Sequence, residues 1–288
     1  MAAFFGMPGN TDLADDLAVH TGLEAGSIET RRFPDGETYV RIQGAADEQS
    51  FLVCTLARPD EQFLPLTFAG RAIRESGAKR LSLIAPYLAY LRQDRQFKEG
   101  EAVSSRVFAD LVSREFDALV TVDPHLHRYA SLGEIYCIPT KVVQTSEMIG
   151  AWVRHNVRAP VVMGPDKESA QWVEDVARHA ACPWAIFRKE RHGDRDVTLT
   201  PPNLDLFGDC TPVLIDDIIS SGATIIGAAK ILLDAGLRPG FCIAVHALFD
   251  SRVSTELASL FEAVLTTDSI PNRFGRFQVA PLIAKALA

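Results

Sequence analysis

Short apolar runs punctuate the chain at 51–55, 81–85, 118–122, 161–163, 213–215 and 241–247. Runs of this length, bounded by polar or turn residues, read as buried strands. Between them the apolar residues fall at helical spacing, over 103–116, 146–156 and 169–181. Strand and helix signals that alternate in this way predict an α/β protein with mostly parallel sheets. In open sheets of that kind ligands gather beyond the carboxyl ends of the strands. The residues after each run are therefore where chemistry is sought.

The richest of these positions is VLIDDIISSGATI, 213–225. The strand 213–215 is followed by two adjacent carboxylates, Asp216 and Asp217. A small, hydroxyl-rich turn comes next: Ser220, Ser221, Gly222, Ala223 and Thr224. An apolar helix pattern then runs to a stop at Gly236. A small-residue loop that opens a helix makes an anion site, because loop amides and the helix dipole both favour negative charge. The carboxylates beside it can accept hydrogen bonds from sugar hydroxyls. An ordinary capped helix start has the same ingredients.

Other strand ends carry comparable groups. RRFPDGE holds Phe33, Asp35 and Glu37, an aromatic and two acids suited to stacking a base and accepting from its amine; a plain Pro-Asp-Gly turn fits equally. Arg92, Gln93 and Arg95 in RQDR can clamp a polyphosphate and read a base edge, or form a solvated charged loop. His125 and His127 flank Leu126 in DPHLH, as metal or phosphate contacts or as a hydrogen-bonded pair. Asp166 in GPD can reach a metal-bound phosphate or simply favour the next helix N-terminus. The segment RKERHGD, 188–194, carries Lys189 and Arg191, as a cationic flap or as a solvated charge run.

The organisation hints at duplication. Residues 71–77 form a helix pattern with a Gly stop that leads into the strand 81–85, and residues 230–236 do the same before 241–247. Two similar halves would meet near 140–146, where no Gly/Ser-rich linker intervenes. We expect residues 1–145 and 146–288 to be the two domains. A chain with 47% hydrophobic and 23% charged residues can bury a real core. A formal net charge of −8 argues against a general nucleic-acid binder. The five cysteines form no CxxC pair, which points to a reducing, cytoplasmic setting and no thiolate metal site. The start MAAFFGMPGN has no basic leader, and no run reaches membrane-spanning length.

In order, these segments resemble the ribose-phosphate diphosphokinase family, also called phosphoribosyl-pyrophosphate (PRPP) synthetases. RRFPDGE is similar to that family's RFxDGE, APYLAYLRQD to PYxxYxRQD, VDPHLH to VDLHxxQ, FRKER to its flexible loop and IDDIISSGAT to its ribose-phosphate loop. The resemblance runs from Phe33 to Thr224 and is closest to the shorter archaeal-type members. It implies two type I phosphoribosyltransferase-like halves, each a mainly parallel sheet flanked by helices. It implies transfer of the diphosphoryl group of ATP to ribose 5-phosphate with Mg2+. By the same resemblance Phe33, Asp35 and Glu37 line an adenine pocket for a neighbouring subunit of a homodimer or higher oligomer, and Arg92, Gln93 and Arg95 contact ATP. His125 and Asp166 serve the metal and phosphate centre, Lys189 and Arg191 the transferring group. Asp216 and Asp217 hold the ribose diol, and residues 220–224 the 5-phosphate.

The chain departs from the family pattern at several points. VDPH replaces VDLH, and a downstream QGFF is absent. Ala223 stands where a second Gly is usual, and Glu190 separates the flap cations. A PRPP-consuming phosphoribosyltransferase would share the ribose-phosphate loop, and a non-catalytic associated subunit would share the fold. The retained RFPDGE, RQDR, His125 and flap cations favour the synthetase.

Overall fold

The computed structural model describes residues 1–191 and 197–288. They form two compact units: 1–143 with 269–271 and 279–288, and 144–268 with 272–278.

The first unit runs β1 (Ala2–Gly6), α1 (Thr11–Thr21), β2 (Glu24–Arg32), β3 (Thr38–Gln43), β4 (Ala46–Val53), α2 (Pro59–Glu75), β5 (Arg80–Ala85), α3 (Ser104–Glu115), β6 (Ala118–Val122) and β7 (Thr140–Val143). Its sheet has the order β3-β2-β1-β4-β5-β6-β7. Only the β2–β3 hairpin is antiparallel. In β5, Leu81, Leu83, Ile84 and Ala85 are all fully buried, as a parallel strand covered on both faces requires. Helix α2 turns Leu66, Ala69 and Ile73 inward. Gly77, at φ +128°, then reverses the chain into β5.

The second unit contains α4 (Ser146–Asn156), β8 (Pro160–Gly164), α5 (Ala170–Ala180), β9 (Trp184–Ile186), β10 (Arg188–Arg191), β11 (Val197–Thr200), β12 (Thr211–Ile219), α6 (Ala223–Asp234), β13 (Phe241–Ala247), α7 (Ser251–Leu260), β14 (Ala263–Thr267) and β15 (Gly275–Phe277). Its main sheet is parallel throughout, in the order β15-β14-β13-β12-β8-β9. Strands β10 and β11 pair separately as an antiparallel hairpin. The last helix, α8 (Ala280–Leu287), belongs to the first unit, so the second does not run to residue 288.

Numbered by their parallel strands alone, both sheets read 2-1-3-4-5-6. The helix, Gly stop and strand at 71–85 therefore have their counterpart at 230–247, where Gly236 sits at φ +79°. Each unit also carries an antiparallel element directly after its second parallel strand, β3 in the first and β10–β11 in the second.

Cys54 and Cys242 are fully buried. Burial pushes the Cys54 thiol up to about 12, and it pushes Cys242 upward as well. Both are inert thiols rather than nucleophiles. Among the described residues, no helix is long and apolar enough to cross a membrane.

Candidate active site

A strand order of 2-1-3 has a reversal point between strands 1 and 3, and a crevice opens there at the carboxyl ends. In the second unit those strands are β8 and β12. The first runs into Gly164, Pro165 and Asp166, and the second carries Asp216 and Asp217. Gly164 is required by packing, since a Cβ there would lie 2.5 Å from Ser169 Oγ and 2.6 Å from Val173. Asp166 accepts from the Glu168 amide at 3.0 Å, and its carbonyl accepts from Ser169 Oγ at 2.8 Å. The Asp216 and Asp217 carboxylates turn back on the next amides, Asp217 N at 3.2 Å and Ile218 N at 2.8 Å.

At the corresponding point of the first unit, beyond β1 and β4, polar side chains satisfy one another. Asn10 Nδ2 donates to Thr55 Oγ1 at 2.9 Å, the Thr55 amide donates to Asn10 Oδ1 at 2.9 Å, and Thr55 Oγ1 donates to the Ser269 carbonyl at 2.8 Å. All three residues are buried. Buried polar groups that pair in this way are not themselves open to a ligand.

Beyond Asp217 the chain turns through Ser220 and Ser221 into Gly222, which caps α6 at φ +72°. No side chain caps this helix; Ser221 Oγ lies 3.5 Å from the Ala223 amide. A helix start leaves its first amides without intrahelical acceptors and carries a positive partial charge. Ile225, Ile226, Ala228, Ala229 and Leu232 fix α6 in the core. Ala223 is exposed and lies within the helix, so its methyl meets no backbone restriction. Gly222 differs. A Cβ there would stand 2.6 Å from Val253 Cγ1 and 3.0 Å from Ile226 Cδ1, on a backbone that disfavours side chains. Gly222→Ala is expected to cost about 1–3 kcal/mol of stability and to weaken anion binding at the loop. Thermal denaturation and phosphate titration check this, and an unchanged melting temperature would contradict it.

Three carboxylates influence one another here. The Asp216 carboxyl is pushed well above the usual range, first by burial and then by the charges of Asp217 and Asp166. A raised carboxyl keeps its proton longer in the folded than in the unfolded chain. Its contribution to stability is whole below the ordinary carboxylate range and is lost as pH rises toward the folded value. Asp216→Asn, which cannot ionise, is therefore expected to melt higher than the parent without ligand, by a margin that grows with pH. A margin that is absent, or largest in acid, would refute the raised carboxyl. Among the described residues no group of three or more His, Cys, Asp or Glu side chains is placed to hold a metal ion by itself, so a divalent cation here would take most of its ligands from water and substrate phosphate.

In the first unit Phe33, Asp35 and Glu37 form the tip of the β2–β3 hairpin. The Phe33 amide donates to the Glu37 carbonyl at 2.8 Å and the Gly36 amide to the Phe33 carbonyl at 2.9 Å. Asp35 Oδ1 accepts from the Glu37 amide at 3.1 Å, and Arg32 Nη1 reaches the Gly36 carbonyl at 2.9 Å. The Arg31 guanidinium lies 4.5 Å from the Phe33 ring centre and 4.3 Å from that of Tyr39. The turn is thus built, yet every residue from 31 to 37 is exposed.

Arg92, Gln93 and Arg95 follow β5, and His125 follows β6, its neighbour in the sheet. Arg92 and Arg95 are exposed, while Gln93 and His125 are half-buried. Gln93 accepts from Ser104 Oγ and from the Ser105 amide, each at 3.3 Å. Glu101 closes the loop by accepting from the Phe97 and Lys98 amides, and those bonds hold its carboxyl below the usual range. Tyr90 at φ +60° and Asp123 at φ +32° take left-handed backbone beyond the ends of β5 and β6. Strain of this kind concentrates at functional sites. Strands β2 and β5, which lead to the hairpin and to this loop, are separated by β1 and β4, about 14 Å across the sheet. Lys189 and Arg191 lie on β10, and the rest of the flap, 192–196, falls outside the described residues.

Residues 2–115 match the model of the N-terminal domain of ribose phosphate pyrophosphokinase, and 134–276 match the phosphoribosyl transferase domain. A ribose-phosphate pyrophosphokinase from Methanopyrus kandleri is 36% identical over 94% of this chain and 93% of its own. The chain belongs to the ribose-phosphate pyrophosphokinase family. A second archaeal member of that family, from Archaeoglobus fulgidus, is 32% identical over 96% of this chain and 97% of its own. The fold is that of a phosphoribosylpyrophosphate synthetase from Mycobacterium smegmatis, with a TM-score of 0.84 at 24% identity over 99% of this chain and 97% of that one. The reading of RQDR gave roles to Arg92, Gln93 and Arg95 but none to Asp94, and none to Arg128, Tyr129 or Ser105, which the structure joins to that loop.

Proposed function

We propose that this chain is an Mg2+-dependent ribose-phosphate diphosphokinase, moving the β,γ-diphosphoryl group of ATP to O1 of ribose 5-phosphate to give PRPP and AMP. The observation that carries this is the sheet reversal of the second unit, where the charges of Asp166 and Asp217 act on Asp216 beside a helix start opened by Gly222. Family membership supplies the reaction class.

In this reading Asp216 and Asp217 accept from the 2- and 3-hydroxyls of the sugar. Residues Ser220, Ser221, Gly222, Ala223 and Thr224 surround the 5-phosphate with amides and hydroxyls. Arg92, Gln93 and Arg95 hold ATP through its phosphates and base. Phe33 stacks the adenine held by a neighbouring copy, and Asp35 and Glu37 accept from its amine. The enzyme is accordingly a homodimer or larger homo-oligomer. His125 and Asp166 would each offer a ligand to Mg2+, which would supply neutralising charge to the phosphate oxygens. Lys189 and Arg191 add positive charge as the diphosphoryl group leaves AMP. The anomeric hydroxyl attacks the β-phosphorus in line, so positioning and charge neutralisation carry the catalysis and no covalent nucleophile is needed. Five cysteines without a pairing pattern suit a cytoplasmic enzyme.

The test is to incubate the protein with ATP, Mg2+ and a panel of pentose phosphates and to identify the products by mass. AMP and PRPP should appear together with ribose 5-phosphate. Release of AMP without a diphosphorylated sugar would refute the proposal.

A further inference from the structure

Within the exposed RQDR loop one side chain is buried. Asp94 has a side chain only 3% exposed, whereas Arg92 and Arg95 beside it are open to solvent. A buried carboxylate needs a partner, and it finds one on the segment after β6. Arg128 Nε stands 3.5 Å from Asp94 Oδ1, and Tyr129 Oη donates to the Asp94 carbonyl at 3.0 Å. Ser105 Oγ, at the start of α3, lies 3.1 Å from the same Tyr129 oxygen. The loop is thus gripped by α3 on one side and by residues 128–129 on the other.

The histidine next in line reports how the chain of contacts runs. Arg128 Nη1 lies 2.9 Å from His127 Nδ1. A guanidinium can only donate, so in this contact Nδ1 accepts. His127 Nδ1 is also 3.9 Å from Asp94 Oδ2, too far for a hydrogen bond. Asp94 therefore acts on His127 through Arg128, and His127 is two residues from His125.

We propose that Asp94 is a positioning residue for the nucleotide: through Arg128 and His127 it locks the segment bearing His125 against the loop bearing Arg92, Gln93 and Arg95. Both then face one ATP in fixed register. The inference rests on the synthetase reading above. Asp94 touches no substrate and moves no proton; its work is done in the ground state. It should therefore appear in nucleotide affinity rather than in turnover.

The experiment compares full-length wild type with Asp94→Asn, Arg128→Gln and the double variant. Affinity for a non-hydrolysable ATP analogue with Mg2+ and affinity for ribose 5-phosphate are titrated separately, and PRPP formation is followed in steady state. Asp94→Asn should weaken the analogue and raise KM for ATP by about tenfold, the scale of coupling within one contact network. Affinity for ribose 5-phosphate and kcat should stay within about threefold, since uniform binding is what is lost. Arg128→Gln should match it, and the double variant should be no worse than the worse single one, because the two residues act as a unit. In protein labelled with 15N-histidine, the His127 Nδ1 resonance should shift in Asp94→Asn. Losses that add in the double variant, equal loss of both ligands, or an unmoved His127 signal would overturn the proposal. Should Asp94→Asn fail to fold, Arg128→Gln, whose side chain is 35% exposed, carries the same test. Wild type that binds the analogue but forms no PRPP would refute the synthetase reading, while the variants would still report on Asp94.

Discussion

Replacing Lys189 with alanine is expected to lower kcat by about 10²–10³-fold, the usual loss for one group that stabilises developing charge. KM for either substrate should move far less. Lys189 lies on the β10–β11 hairpin, which pairs with itself and stands outside the main sheet. In the proposed reaction the charge of Lys189 counts most as the diphosphoryl group leaves AMP. Interactions made only in the transition state lower kcat and kcat/KM together. Arg191, two residues along the same strand, should behave alike. Steady-state kinetics with each substrate varied in turn checks this. Near-normal turnover with weakened ATP binding would assign the flap to ground-state binding instead.

The second large effect is recovery of activity from two inactive proteins. Phe33, Asp35 and Glu37 project on an exposed turn about 14 Å across the sheet from the strand that leads to Arg92 and Gln93. A turn with three internal hydrogen bonds, and with Arg31 laid against Phe33, is shaped before it meets any ligand. Pre-shaped and exposed, it is suited to serve a neighbouring copy. Asp35→Ala/Glu37→Ala protein and Lys189→Ala/Arg191→Ala protein should each be nearly inactive. After subunit exchange, mixed dimers should contain one site with all its native residues, and activity should return. Verified exchange without activity, or a fully active wild-type monomer, would contradict a shared site.

Much of this architecture was legible because parallel strands buried on both faces are written as continuous apolar runs, as in 81–85 and 213–215. Strands β2 and β3 were not legible. Their residues alternate between exposed and half-buried positions on a sheet edge, so Glu29, Arg31 and Arg41 hide the strand pattern. The flap hairpin was hidden in the same way by its charge. Helix α8 shows an apolar face, but nothing in that face says which sheet it will cover. At the site, Asp216, Asp217 and Gly222 could be read locally, because strand, loop and helix follow one another directly. The structure also separates Gly222, whose backbone requires glycine, from Ala223, whose position does not. Asp94 was illegible for the opposite reason. In RQDR it looks like one more solvated charge, and only the return of the chain at Arg128 and Tyr129 buries it.

In the proposed reaction the bond broken in ATP lies between the α- and β-phosphates. This is tested most directly with ATP labelled with 32P at the β-phosphate, supplied with ribose 5-phosphate and Mg2+ to the purified protein. The label should leave the nucleotide entirely, appear in a diphosphorylated sugar and be matched mole for mole by unlabelled AMP. Label retained in ADP beside a singly phosphorylated product would contradict it.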